Sequence, residues 1–107
     1  MDIWQRSCKL AIEVCVQLDK CRNFSLRDQL TRSSISLPSN IAEGAERLSR
    51  KEFAQFLGYA KGSAGEMQTQ IIIANKLGHF DDQTAQLWIR ELRKISAMIF
   101  GLVRSLQ

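Results

Sequence analysis

Asn40, Glu43 and Glu66 are the polar side chains that come nearest to general acid–base chemistry in this 107-residue sequence. Asn40 falls near the apolar seam of the second predicted helix and Glu66 on the flank of the third, so the two could meet across a helix pair. No nucleophile paired with a base accompanies them. We therefore predict no catalytic residue, and expect Arg32, Asn40, Glu43 and Glu66 to form a structural network that bonds across helices and satisfies carbonyl groups freed around Pro38.

A metal site is not indicated. The only histidine, His79, precedes Asp81 and Asp82, and this trio could hold an ion only weakly. Zinc sites use three or four His, Cys or acidic ligands with defined spacing, and the cysteines lie elsewhere in the chain. We predict neither a metal nor another cofactor.

The three cysteines all fall on the first predicted helix, at Cys8, Cys15 and Cys21. With a rise of about 1.5 Å per residue, successive cysteines are about 10 Å and 9 Å apart, which is too far for a disulfide bond. We expect Cys8 and Cys15 to be packing groups of the core. Free thiols are typical of the reducing cytoplasm, where we expect the protein. A membrane-spanning helix is not expected either, because no apolar run reaches the length of about 18 residues that it needs.

Positive charge is the feature that points to a ligand, since the chain carries a net charge of +4. If consecutive helices run antiparallel, residues 1–9, 44–54 and 98–107 meet at one end, where six cations face three anions. Such an excess attracts nucleic-acid phosphates, although a solvated cluster at helix ends is the commoner meaning of this pattern. We name this predicted surface the basic pole, and its cations are Arg6, Lys9, Arg47, Arg50, Lys51 and Arg104.

Four amphipathic segments must position these side chains, at about 3–21, 24–47, 50–77 and 81–106. In each segment the apolar or small residues recur at steps of three and four, which is typical of a helix with one buried face. The first seam holds Trp4, Cys8, Ala11, Cys15 and Leu18. The second holds Leu26, Leu30, Ser33, Leu37, Ile41 and Gly44. The third holds Phe53, Leu57, Ala60, Ala64, Met67, Ile71 and Ala74, and the fourth holds Ala85, Trp88, Leu92, Ile95, Ile99, Leu102 and Leu106.

Local signals mark where the helices begin and end. Ser49 and Glu52 form a capping box for the third helix, with Leu48 and Phe53 spaced as a hydrophobic staple. A second box, Ser25 with Asp28, could cap the second helix, and Gly78 ends the third.

Pro38 lies inside the second segment, although a proline in a helix interior costs about 3 kcal/mol. The seam keeps helical spacing on both sides of it. We predict one helix kinked at Pro38, with two shorter helices as the alternative. Because the connections are short, we expect residues 1–107 to form a single all-α domain, an antiparallel up-down-up-down four-helix bundle.

Two features predict more than one copy of the chain. The first helix is apolar on a second face as well, and such a face normally has a packing partner. The third helix carries three glycines, each costing about 1 kcal/mol relative to alanine. A close helix contact, within or between subunits, would compensate for Gly58, Gly62 and Gly65.

Several motifs together resemble a known family. They are Trp4, the run QLTRSSISLPSNIAEG at 29–44, SxKEFxxFL at 49–57, AxGSxxE at 60–66 and KLG at 76–78. The chain resembles the bacterial four-helix-bundle proteins that include those encoded in intervening sequences of large-subunit ribosomal RNA genes. The resemblance covers essentially the whole chain. It implies a left-handed bundle, a homopentamer and no established catalytic activity.

The same resemblance suggests a nucleic-acid ligand, because of where some family genes lie and because a similar pentameric bundle is an accessory to a reverse transcriptase. This is an analogy of fold. Our leading hypothesis is a non-enzymatic, homo-oligomeric binding or accessory module whose ligand is RNA or DNA. The alternative is an assembly scaffold for an unidentified protein, without nucleic-acid binding.

Overall fold

A computed structural model describes residues 1–107. The chain forms four helices and no strand: α1 (Asp2–Leu18), α2 (Phe24–Ala45), α3 (Arg50–Lys76) and α4 (Asp82–Ser105). This confirms the predicted all-α class and the four-helix bundle. None of the four helices combines the length and the apolar character needed to cross a membrane.

Three of the four predicted apolar seams lie in the core. The predicted residues of α2 are all buried, as are those of α3 except the half-buried Phe53. In α4 the seam is buried from Ala85 to Ile99, and its last members Leu102 and Leu106 pack against the core partly exposed. Pro38 is buried inside α2, which is one helix and not two.

The predicted seam of α1 is wrong in its rotation. The helix buries Ile3, Ser7, Leu10, Ala11, Val14 and Leu18. Trp4 is 41% exposed, and Cys8 and Cys15 are only half-buried. Because α1 is apolar on two faces, the spacing of its residues could not decide which face enters the core.

Side chains cap the other three helices. The predicted start of α3 is confirmed, since the Ser49 hydroxyl accepts the Glu52 backbone N–H at 3.1 Å. Leu48, however, is fully exposed, so the predicted staple does not form. The cap of α2 is Asn23, whose Oδ1 accepts the Leu26 N–H at 3.1 Å, and not Ser25.

The start of α4 and the end of α3 are set by Asp81 and by Gly78, and the second of these was predicted from the sequence. Asp81 caps α4 by accepting the Thr84 N–H at 2.7 Å, and this bond lowers the pKa of the Asp81 carboxyl. Gly78 follows α3 with a φ of 86°, a left-handed conformation that glycine adopts without strain.

The helices lie along a body of 42 × 21 × 18 Å. Each helix packs against its neighbours in sequence, and α1 also packs against α4, whereas no Cα atom of α1 lies within 8 Å of one in α3. These two helices are therefore diagonal in the bundle, with outer faces on opposite sides. Of the glycines, only Gly44 lies at a close approach between helices, where an added Cβ would lie 2.9 Å from the Cβ of Phe56 and 3.0 Å from Phe53 in α3.

Candidate functional site

Arg6 of α1 is bound to Glu91 of α4 and is not a free cation. Its Nε and Nη2 atoms donate to the two carboxylate oxygens at 2.9 Å and 2.7 Å. These bonds lower the pKa of Glu91 and raise that of Arg6, so both groups remain charged and paired at neutral pH. The pair contributes no net charge to the surface.

The predicted basic pole does not form from all six of its residues. Arg6 lies beside Glu91, which is 13 residues from Arg104 on the same helix, or about 20 Å along its axis. Lys9 is still farther from Arg104. It lines a groove of about 570 Å³ between α1 and α4, together with Trp88. The prediction assumed that the start of α1 is level with the end of α4, but α1 has 17 residues and α4 has 24.

The connection between α2 and α3 holds Arg47, Arg50 and Lys51, and its charges cancel. Residues 43–52 also carry three glutamates. Arg47 forms an ion pair with Glu43, approaches Glu52 at 3.9 Å and lies 4.6 Å above the Phe56 ring. This corner therefore presents alternating charges and not a positive patch.

The predicted polar network is also arranged differently. Asn40 donates to the Ser36 carbonyl at 2.9 Å and the Ser36 hydroxyl at 3.0 Å, within its own helix. Glu43 pairs with Arg47, one turn away. Neither Arg32 nor Glu66 forms an ion pair or a side-chain hydrogen bond with another residue.

Hydroxyl and amide groups make the bonds between α2 and α3 instead. Ser33 donates to the Gln70 side chain at 2.7 Å, and the hydroxyls of Ser36 and Ser63 are 2.9 Å apart. The Ser34 hydroxyl is buried without a hydrogen-bond partner. Arg32 and Glu66 take no part in these bonds, contrary to the predicted network. Both side chains line an open polar groove.

The outward face of α1 is apolar and has no partner in the chain. Ile12 and Val16 are 65% and 66% exposed, next to the partly exposed Trp4. We call this face the α1 stripe, and it consists of Trp4, Cys8, Ile12, Cys15 and Val16. Burial raises the pKa of the Cys8 and Cys15 thiols, which therefore stay protonated and poorly nucleophilic at neutral pH.

The predicted close-packing glycines lie on the outer face of α3. A Cβ added at Gly58, Gly62 or Gly65 would meet no atom within 4 Å. The chain therefore makes no close helix contact at these positions, and a contact between subunits stays a prediction. The glycine that does require close packing is Gly44, which the sequence placed only as a seam residue.

A second set of cations lies on the exposed face of α4, and only Arg104 of this set is among the residues predicted from the sequence. Arg90, Arg93, Lys94 and Arg104 are all exposed. Their spacing of three, one and ten residues places them opposite the core seam of α4, and this periodicity was the signal that could have found them. No cluster of three or more His, Cys, Asp or Glu side chains is arranged to hold a metal ion.

Comparison with known proteins gives two similarities. The family described as 23S rRNA-intervening sequence protein matches residues 1–101. A crystal structure from Bacteroides thetaiotaomicron VPI-5482, of a protein of unknown function in the S23 ribosomal protein family, superposes with a TM-score of 0.87 at 18% identity. The superposition covers 94% of this chain and 97% of that one, and shows the shared fold. No curated protein matches the sequence.

Proposed function

This chain belongs to the family of 23S rRNA-intervening sequence proteins, and we propose that it is a non-enzymatic, homo-oligomeric accessory module that assembles through the α1 stripe. The observation that carries the proposal is the exposure of Ile12, Val16 and Trp4 on one helix face. Burying a large apolar side chain completely is worth about 1.5 to 3 kcal/mol, so covering this face favours association.

The outer face of α3 is the surface that best fits the α1 stripe of a second copy. Its glycines leave room for bulky side chains, and the α1 stripe carries no charge. The exposed Lys61 and Glu66 lie beside the glycines and would stay solvated at the edge of the contact. Because α1 and α3 are diagonal, a contact from α1 of one copy to α3 of the next repeats head to tail. Contacts of this kind close into a ring when the rotation from one copy to the next closes, and the homopentamer that the family resemblance implies is such a ring.

The finer features of the fold belong to the same proposal. We infer an up-down-up-down, left-handed bundle with α2 kinked at Pro38. Contacts between α2 and α3 support opposite directions for this pair, because Ser33 bonds Gln70 whereas Gly44, farther along α2, meets Phe53 near the start of α3. The buried ring of Pro38 removes one backbone hydrogen bond, which favours a bend there.

A role without catalysis agrees with the dispersed polar groups. Asn40, Glu43 and Glu66 do not converge: the first two bond within α2, and Glu66 lines the polar groove. We place the protein in the cytoplasm, where its three free cysteines would stay reduced.

Sedimentation of matched α1 variants tests the proposal. Replacing Ile12 and Val16 with Asp places charges in the α1 stripe without touching the core, so the mass should fall to that of one 12.2 kDa chain while helicity is retained. Gln17→Asp is the control, because Gln17 is exposed on the same helix outside the stripe. Its mass should equal that of the unaltered protein.

An unaltered assembly in the double variant would overturn the proposal. A wild-type chain that sediments as a monomer would instead favour the alternative, in which the α1 stripe is a docking face for a different protein.

A further inference from the structure

The outer face of α4 carries a row of cations that no acidic group balances. Arg90, Arg93, Lys94 and Arg104 are exposed, and Glu91 is the only acidic residue between positions 83 and 107. We call this row the α4 basic stripe. Between Lys94 and Arg104 this face carries three exposed residues, Ala97, Phe100 and Gly101.

None of the four cations forms an ion pair, although Lys94 is near enough to Glu91 to help lower the pKa of that carboxyl. The ion pairs of the molecule are Arg6 with Glu91 and Arg47 with Glu43 and Glu52. Because both carboxylate oxygens of Glu91 accept from Arg6, this acid is already committed to another cation. The α4 basic stripe therefore presents four exposed cations, none of which is held in an ion pair.

An exposed aromatic ring interrupts the stripe. Phe100 is 55% exposed, and the Arg104 guanidinium lies 5.8 Å from the centroid of its ring. Arg93, Ala97, Phe100 and Arg104 follow one another at steps of four, three and four, so the ring lies between two arginines on one helix face. Cations that follow a backbone, with an aromatic surface on which a base can stack, are the elements of single-strand binding.

We propose that the α4 basic stripe binds single-stranded nucleic acid, with phosphates on Arg90, Arg93, Lys94 and Arg104 and a base stacked on Phe100. The stripe is about 21 Å long, which corresponds to about six stacked nucleotides at about 3.4 Å each. It contains no side chain arranged to read base edges in a groove, so binding depends on phosphate number and stacking and not on sequence.

Nucleic acid fits this face better than an anionic membrane does. A helix that lies on a membrane inserts an apolar face beside its cations, but the apolar face of α4 is buried in the core of the bundle. The α4 basic stripe also shares no residue with the α1 stripe, so the two surfaces are tested independently.

Fluorescence anisotropy with a labelled oligothymidylate and an oligouridylate of about 12 nucleotides tests the site at about 50 to 200 mM salt. The double variant Arg93→Gln, Arg104→Gln should bind at least tenfold more weakly at the lowest salt. The slope of log affinity against log salt should become shallower by about 1.4, because each phosphate contact to a single strand contributes about 0.7. The control Lys20→Gln, Arg22→Gln removes the same charge from exposed positions outside α4 and should change both quantities little.

A second matched pair tests the stacking contact. Phe100→Ala should lower affinity about fivefold or more. Phe24→Ala is the control, because Phe24 is 61% exposed with Arg27 at 4.8 Å from its ring centroid, but lies outside the α4 basic stripe. Circular dichroism should show that all variants keep wild-type helicity, because every substituted side chain is exposed and lies outside the core.

Several results would overturn the assignment. They are no binding by the wild-type protein at the lowest salt, equal losses in the control and α4 variants, or tighter binding to a duplex of the same length than to the single strand. Binding to phosphatidylserine vesicles without binding to either oligonucleotide would also contradict it.

Discussion

Gly44 and Gly62 differ in what a side chain at each position would meet. A Cβ at Gly44 would lie 2.9 Å from the Phe56 Cβ and 3.3 Å from the Phe53 carbonyl oxygen, and neither atom can move without shifting a backbone. A Cβ at Gly62 would meet nothing. Packing within the chain therefore requires glycine at position 44. Gly62 lowers the stability of α3, and no close packing contact within the chain compensates for this.

Alanine substitutions should separate these two glycines. Gly44→Ala should lower the free energy of unfolding by about 1 to 3 kcal/mol through overpacking. Gly62→Ala should raise it by about 0.5 to 1 kcal/mol, because alanine is the better helix former. Urea unfolding measures both, in the Ile12→Asp, Val16→Asp background so that assembly does not contribute. Changes of the same sign at the two positions would contradict the difference in packing.

Two kinds of residue contact cannot be predicted from helical spacing alone. The α3 glycines were recognised from their cost in a helix, but that cost does not reveal whether the compensating contact lies inside the chain. Asn40 was placed in a network across helices, yet its amide reaches the nearer Ser36. A half-buried amide can donate to a carbonyl or hydroxyl group one turn earlier in its own helix, and this local bond competes with a bond to another helix.

At the scale of helices, the start of α2 depends on Asn23. Its Oδ1 accepts the Leu26 N–H from a residue with extended φ and ψ, whereas Ser25 lies inside the first turn and is exposed. Asn23→Ala should therefore lower the free energy of unfolding by about 0.5 to 2 kcal/mol. Ser25→Ala should stay within about 0.5 kcal/mol of the wild type.

Thermal and urea unfolding of both variants check this prediction. Ser49→Ala serves as a positive control, because Ser49 caps α3 with the same geometry. A larger loss in Ser25→Ala than in Asn23→Ala would show that the sequence-predicted capping box of Ser25 and Asp28 is the true start of α2.

The elements most accurately predicted are those with one apolar face. The seam of α4 has a single face, so spacing alone identified its buried residues from Ala85 to Ile99. The seam of α1 was misplaced because two faces of that helix are apolar, and packing on α2 and α4 decides which one is buried. Periodicity gives the existence of a helix, whereas its rotation depends on partners that are distant in sequence.

At the scale of the whole molecule, sequence and resemblance gave the class and the four-helix bundle, but not the distribution of charge. The basic pole was predicted from helix order, which leaves open how far each helix extends. Arg6 bonds Glu91 and not the terminal residues of α4. The free cations of α4 come from one helix face, and a count by helix ends includes Arg104 but omits Arg90, Arg93 and Lys94 in the middle of the helix.

Two surfaces without a partner in the chain carry the two proposals: the α1 stripe, which is apolar, and the α4 basic stripe, which is charged. If another copy of the chain covered the α1 stripe, the α4 basic stripe of every subunit would remain available to a ligand. Repetition around a ring would bring the cations of several subunits together and strengthen binding by multivalency.

The sedimentation velocity of the unaltered protein at micromolar concentration tests the central claim, which is that copies of this chain assemble through the α1 stripe. We predict one dominant species with a mass several times 12.2 kDa, five times if the ring is the pentamer that the resemblance implies. A single species at 12.2 kDa would contradict the claim, because Ile12, Val16 and Trp4 would then remain exposed in solution without a second copy to cover them.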